Sequence, residues 1–273
     1  MVLALMTVGS GALAQSEPPD TGDFRSDIYR PQQDAVCSSG QKLSRGCAAI
    51  REREIVDATA LPWRGIGRVN FASTQVRQHC TGTLISERVV LTAAHCLYNY
   101  PRKAWIPPQS IVFVAGFQRG TKIAVSRGAR YVLSEDEDTS SRDFRGKAGQ
   151  DWALLILEQP IGREVGYFSV LADEPEQLTD EEFLLPGYSG LRPNVLSVAT
   201  DCGRPLVDVD NTVFLQGCSI MFGDSGAPLL VRRGDNYHVV GVLSATVSWG
   251  SGFGSLSVPV SRFEEAILAE TGI

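Results

Sequence analysis

The sequence predicts an all-β chain of two antiparallel β-domains of similar size, closed by a short C-terminal helix. Three observations predict it. Short runs rich in Val, Ile, Leu and Phe recur between Gly, Pro, Asn and charged clusters, the pattern of antiparallel strands and their turns. The runs fall into two sets on either side of a connecting stretch that begins at "EQPIGREVG" (158–166), which suits two β-domains better than one large sandwich. Only the last segment changes its apolar period from 2 to 3.6.

Residues 2–14 are an apolar run ending in Ala12-Leu13-Ala14, a small-x-small pattern suited to signal peptidase, so 1–14 reads as a signal peptide. The run falls short of the roughly 20 apolar residues of a membrane span, and no later run reaches that length, so no membrane anchor is expected. Residues 15–54 are rich in Ser, Gly, Pro, Gln and charge without a sustained period, and read as an N-terminal extension or propeptide.

The first β-set, about 55–160, contains "RGIGRVNF", "GTLISERVVLT", "SIVFVAGF", "KIAVSRGARYVL" and "WALLILE". The acidic stretch "SEDEDTSSRDFRG" (134–146) interrupts it as a solvated loop, because its spacing does not match a calcium-binding EF-hand. The second set, about 161–260, contains "NVLSVATDC", "NTVFLQGCS", "APLLVRRG" and "YHVVGVLSATVSW". In "SRFEEAILAETGI", Phe263, Ile267 and Leu268 share a face while Ser261 and Glu264 are spaced as a capping box, which predicts a helix over 261–271.

Six cysteines, Cys37, Cys47, Cys80, Cys96, Cys202 and Cys218, form an even set with no Cys-x-x-Cys pair, which favours disulfides over a metal site. Fifteen pairings are possible; bridges between chain neighbours, 37 with 47, 80 with 96 and 202 with 218, are the simplest. A net charge of −6 with no basic block argues against nucleic acid or an anionic membrane surface as partner.

One short stretch carries chemistry. "FGDSGAPLL" (222–230) sets Ser225 between two glycines, directly after an acid. A serine hydroxyl is a poor nucleophile at neutral pH and needs a base within hydrogen-bond reach, oriented in turn by a third group. His95, one of three histidines, follows a β-rich run in "VVLTAAHCLY". Asp151 opens the apolar run of "GQDWALLIL", where a charge is costly unless paired, and an imidazole N–H is the kind of partner that relieves the cost. His79 and His238 lie in strand-like surroundings and read as structural.

"LTAAHC" (91–96), "DWALLIL" (151–157) and "GDSGAPL" (223–229), in that order, resemble the three catalytic motifs of the chymotrypsin-like serine endopeptidases. "CTGTLIS" (80–86) resembles the strand whose half-cystine bridges to the one beside the histidine, and "LPWRGIGRV" (61–69) resembles the first strand; together they cover about 55–270. The resemblance implies two packed six-stranded β-barrels over 55–273. It also implies cofactor-free acyl-enzyme hydrolysis of a protein or peptide substrate by a monomer, with Ser225 as nucleophile, His95 as base and then acid, and Asp151 fixing the imidazole. The N–H groups of Gly223 and Ser225 would form the oxyanion hole.

Lys- and Arg-specific members carry an acid six positions before the nucleophile, where this chain has Ser219, so a neutral side chain before the scissile bond is expected. Ser244, Ala245 and Thr246 in "VLSAT" would pair with substrate backbone, with Leu243 where glutamyl-specific members place a histidine; "SWG" (248–250) is a rival alignment of this wall. Met221 stands where many animal members carry a half-cystine, which with the leader suggests a bacterial secreted branch, periplasmic or extracellular. Animal members are often cut before Ile-Val-Gly-Gly so that the new amino group pairs with the aspartate beside the nucleophile. Here Ile55-Val56 and Asp224 offer that pair, against an uncut chain in which Ile55 and Val56 simply begin a strand. A protease-like binding protein without activity is the alternative function.

Overall fold

The computed structural model describes residues 44–72, 77–137, 147–173, 177–178, 181–207, 212–249 and 252–272. The expected signal peptide, the extension up to residue 43, Cys37 and its pairing with Cys47, residues 138–146 of the acidic loop and Gly250 of the rival wall lie outside them. The described chain begins with helix α1 (Ser44–Glu52) and the two-residue strand β1 (Glu54–Ile55). That helix lies at the end of the expected extension, and Ile50, fully buried, docks it on the body of the protein.

The first β-set closes on itself. Strands β2 (Ile66–Ala72), β3 (Arg77–Leu84) and β4 (Val89–Thr92) are followed by a small hairpin, β5 (Tyr98–Asn99) with β6 (Ala104–Trp105), and then by β7 (Val112–Ala115), β8 (Ala124–Leu133) and β9 (Ala153–Leu157). Without the hairpin they form a six-stranded closed barrel in the order β2-β3-β4-β9-β8-β7, which leaves no open edge. Successive strand residues face opposite sides, so β9 serves two cores. Ala153, Leu155 and Leu157 fill the barrel with Val69, Leu84, Val90 and Phe113, while Leu154 faces the second half of the molecule. Both faces are covered, which is why "WALLILE" reads as an unbroken apolar run. Each such leucine contributes about 1.5–3 kcal/mol of burial.

A single-turn helix α2 (Gly162–Val165) leads to the second set: β10 (Ser169–Val170), β11 (Glu182–Gly187), β12 (Ser197–Ala199), β13 (Leu206–Val207), β14 (Phe214–Gln216), β15 (Pro228–Arg233), β16 (Asn236–Trp249) and β17 (Gly252–Pro259). Among the described residues they join β1 in a nine-stranded sheet ordered β1-β12-β11-β15-β16-β17-β14-β13, with β10 parallel to β16. β1 therefore belongs to the second sheet, although it lies next to the first barrel in sequence. A shared core joins the halves, with Ile66, Leu91 and Leu154 from one and Leu184, Leu196, Leu230, Val242 and Val258 from the other.

Helix α3 (Glu264–Thr271) closes the chain as expected, but not by the expected cap. Ser261 lies in the 3-10 turn Val260–Arg262 and Phe263 occupies the cap position without a side-chain bond. Packing replaces the box: the Phe263 ring stacks on Trp152 at 5.1 Å and Ile267 is buried. Leu268, expected on the same face, is 48% exposed: it stands about 100° around the helix from Ile267, which takes the buried side.

Candidate active site

Strand register brings His95 and Asp151 together. β4 pairs antiparallel with β9 so that Thr92 lies opposite Ala153, which places the exit of one strand beside the entry of the other. His95 follows in the 3-10 turn Ala94–Leu97, and Asp151 precedes β9 just after the 3-10 turn Ala148–Gln150. Asp151 Oδ2 is 2.7 Å from His95 Nδ1, and Oδ1 accepts the His95 backbone N–H at 2.9 Å. Two bonds from one residue fix both the imidazole and the turn that carries it.

A third donor comes from a strand irregularity. The register of β16 against β17 slips between Leu243 and Ala245, and the residue in the bulge, Ser244, donates its hydroxyl to Asp151 Oδ2. Bulges commonly re-aim a side chain beside a functional site. Burial pushes the Asp151 carboxyl up, yet the His95 charge and the bonds from His95 and Ser244 outweigh it and hold the group below the ordinary carboxylate value. Asp151 thus stays an acceptor, and His95 keeps its proton on Nδ1 with Nε2 turned toward the remaining neighbours. Which nitrogen carries the proton follows from that bond.

Ser225 sits in the turn that enters β15, where the second half meets the first barrel. The Ser225 carbonyl accepts the Thr81 N–H of β3 at 2.9 Å. Thr81, fully buried, also donates Oγ1 to the Gly223 carbonyl at 2.8 Å and accepts the Tyr188 N–H at 3.0 Å. Both the Ser225 and Gly223 carbonyls are therefore turned toward β3. Asp224 N–H closes a turn onto the Met221 carbonyl at 3.1 Å, with Gly223 at φ +90°, the third position of a type II turn that demands glycine. A Cβ there would lie 2.4 Å from the Tyr188 carbonyl oxygen and 2.6 Å from His79 Nε2. The Gly223 and Ser225 N–H groups have no acceptor among the described residues, nor does Ser225 Oγ bond to His95 Nε2. A bond of that kind commonly tightens only once substrate is bound.

The Cys80–Cys96 bridge lies beneath this arrangement, with Cys96 Sγ 3.7 Å from both His95 Nε2 and the Ser225 carbonyl. Cys202 pairs with Cys218, just before Ser219. Ser219 is held through its backbone: its N–H faces Asp201 at 3.3 Å, and its carbonyl accepts Arg53 Nη2. Ser244 and Ala245 are buried and Thr246 half-buried, on the length of β16 beyond its last pairing with β15, Pro228 opposite Val242.

Two of the three histidines lie outside the His95–Asp151 pair. His79 Nε2 meets the Tyr188 carbonyl at 3.0 Å, and burial, helped by the nearby Arg68 charge, pulls the ring below its ordinary value of 6.5. His238 pairs with Ser169 Oγ on an exposed face. Ile55 and Asp224 are not brought together: Ile55 is 42% exposed in β1, and the partner of Asp224 is Arg53. Sequence reasoning missed Arg53 and Thr81, and saw Ser244 only as a backbone contact. Asp224, a buried acid directly before Ser225, was the one signal that a cation had to be near.

The family model described as Trypsin matches residues 56–267. Trypsin zeta of Drosophila erecta is 26% identical, over 80% of this chain and 86% of its own. Glutamyl endopeptidase of Bacillus licheniformis is 23% identical over 74% of this chain, which spans 60% of that enzyme. The solved structure of a thermostable serine protease, AL20, from an extremophilic microorganism has a TM-score of 0.61 at 18% identity, covering 77% of this chain and 97% of its own.

Proposed function

This chain belongs to the trypsin family of serine endopeptidases, and from that premise we propose that Ser225 is its nucleophile, His95 its general base and acid, and Asp151 the group that orients His95. The observation that carries the reading is the buried pair in which one carboxylate grips both the ring and the backbone of His95. With Nδ1–H held by Asp151, Nε2 takes the Ser225 proton as Oγ attacks the scissile carbonyl. The oxyanion then meets the unengaged N–H groups of Gly223 and Ser225. Collapse of the adduct passes the Nε2 proton to the leaving amine, leaving an acyl-serine. Water, activated by the same nitrogen, cleaves the ester and restores Ser225. Such a sequence needs no cofactor.

The side chain before the scissile bond is neutral in this reading. Ser219 brings no charge to the pocket floor, and the ion pair behind it, Arg53 with Asp224, is internally compensated. Ser219 itself therefore offers no charge to a desolvated ammonium or guanidinium, and the neighbouring Asp201 carboxylate faces the Ser219 N–H. Backbone of Ser244, Ala245 and Thr246 would pair with the substrate.

We assign residues 1–14 to a removed leader, 15–54 to an extension and 55–273 to the peptidase domain of a monomer working in the periplasm or outside the cell, in a bacterial secreted branch. Supporting this are the apolar leader-like run, the Cys80–Cys96 and Cys202–Cys218 bridges and Met221 in place of a half-cystine. Among the described residues no helix is long and apolar enough to cross a membrane. The test is a fluorophosphonate probe on the purified protein, located by intact mass and peptide mapping, with Ser225→Ala as control. One adduct on Ser225 is expected; none on folded protein, cut or uncut, would favour the binding-protein alternative.

A further inference from the structure

We infer that Arg53, at the end of the N-terminal extension, is a positioning residue for the oxyanion turn, and that the chain is therefore competent without a cut between Arg53 and Ile55. The inference rests on the triad reading above.

Asp224 is fully buried directly before Ser225, and a carboxylate so placed needs a counter-charge. The guanidinium of Arg53 supplies it through two parallel bonds, Nη1 to Oδ1 at 3.0 Å and Nη2 to Oδ2 at 2.9 Å. Arg53 is itself buried, its side chain 2% exposed. A flat fork of donors matching both carboxylate oxygens holds orientation as well as charge. Oδ2 also accepts the Met221 N–H at 3.0 Å, while Asp224 N–H closes on the Met221 carbonyl. Side chain and backbone of Asp224 thus both fasten the Met221–Asp224 turn, and Gly223 lies inside it. Any swing of the carboxylate would carry the Gly223 and Ser225 N–H groups with it. On the far side Gly187 leaves no slack, since a Cβ there would stand 2.3 Å from Asp224 Oδ1.

Arg53 is delivered by built structure. Its N–H continues the α1 pattern onto the Ala49 carbonyl, Ile50 anchors that helix in the core, and Arg192 Nη1 donates to the Arg53 carbonyl at 2.9 Å. Its Nη2 reaches the Ser219 carbonyl as well, so one cation ties the turn to the pocket floor. Ile55, which a cleaved chain would present as a new amino terminus, is engaged in β1 opposite Ser197. The place at Asp224 is filled by a side chain from upstream of the cut, and the same burial withholds Arg53 from a protease that would read it.

The test uses the purified chain with the 53–55 linkage verified by mass. It measures fluorophosphonate labelling of Ser225, kcat and KM on a peptide substrate, and the affinity of a peptide aldehyde whose hemiacetal oxygen needs the same N–H donors. The uncut wild type labels and turns over. Arg53→Met lowers kcat by about 100-fold or more, the scale of losing one oxyanion donor, weakens aldehyde binding by a similar factor and changes KM little. Arg53→Lys recovers part of kcat, and Arg51→Met, at an exposed position of α1, behaves as wild type. If Arg53→Met does not fold, the Lys variant decides: kcat and aldehyde affinity equal to wild type would overturn the inference, and a parallel fall in both would support it. An uncut chain that is inert until cleaved between 53 and 55 overturns the inference and leaves the triad reading intact. Absence of labelling in both cut and uncut wild type overturns the triad reading first.

Discussion

Gly223→Ala separates backbone strain from loss of function, because Gly234 offers a matched control. Both glycines have positive φ, +90° and +62°. Around Gly234, in the turn between β15 and β16, a new Cβ meets nothing within 4 Å. That substitution costs only the left-handed conformation, about 1–2 kcal/mol. At about 2–4 °C per kcal/mol for a domain of this size, the midpoint falls by about 2–8 °C with kcat unchanged. At Gly223 the strain of about 1–3 kcal/mol is joined by contacts no side-chain rotation can relieve. The new Cβ would be 2.4 Å from the Tyr188 carbonyl oxygen, 3.2 Å from the Gly190 nitrogen and 2.6 Å from His79 Nε2, a ring held by its own bond to Tyr188. The 222–224 peptides must rotate, which takes the Gly223 N–H off its line, and losing one such donor costs about 100- to 1000-fold in kcat. Thermal melting and steady-state kinetics on both variants give the answer. A folded Gly223→Ala enzyme with wild-type kcat would refute the claim that this N–H binds the oxyanion.

Three further outcomes follow from the same geometry. Ser244→Ala removes one charge-assisted bond from Asp151 but leaves both His95 bonds, so kcat/KM falls by about tenfold, equivalent to about 1.4 kcal/mol, in a peptide-hydrolysis assay. His79 is held below its ordinary 6.5, so between the depressed folded value and 6.5 the unfolded chain binds more protons and stability is lost as the pH falls. The stability lead of wild type over His79→Gln, measured by melting, therefore shrinks from pH 7.5 toward 5; a constant gap would contradict the shift. Both described disulfides span 16 residues, so Cys80→Ser/Cys96→Ser and Cys202→Ser/Cys218→Ser each cost about 3 kcal/mol in the loop-entropy model. The first also lowers kcat, because Cys96 adjoins His95, whereas the second acts on KM through Ser219; equal kinetic profiles would argue against these placements.

The strand pattern was legible because it is local. Alternation, turn residues and unbroken apolar runs each record what a segment's two faces meet, and they gave the all-β class, the two halves and the closing helix. Where a tertiary contact overrides a local signal the sequence misleads, as at the C-terminal helix. Ser261 and Glu264 have capping-box spacing, yet stacking of Phe263 on Trp152 sets the helix start. Helix α1 was invisible for a related reason, since its polar composition masks a single anchoring residue, Ile50.

Buried acids show most clearly where the sequence runs out. Asp151 and Asp224 both precede apolar runs, so each announces a partner without naming it. For Asp151 the choice is narrow: the chain has three histidines, and the one after a β-rich run next to a cysteine fits the family order. For Asp224 the field was 25 Lys and Arg residues, and the resemblance pointed past them to an amino group that an uncut chain does not have. Arg53 and Arg51 differ in the sequence only by position in "REREIV"; what separates them is that α1 ends between them and turns one guanidinium into the core. A contact 171 residues apart depends on where the helix docks, which is decided by Ile50 and by Arg192 at the Arg53 carbonyl. The same dependence makes the extension part of the working enzyme. A truncation starting at Ile55 removes the cation while leaving every triad residue in place, so if its free amino group fails to reach Asp224, the fragment should fold poorly and lose oxyanion-dependent turnover together.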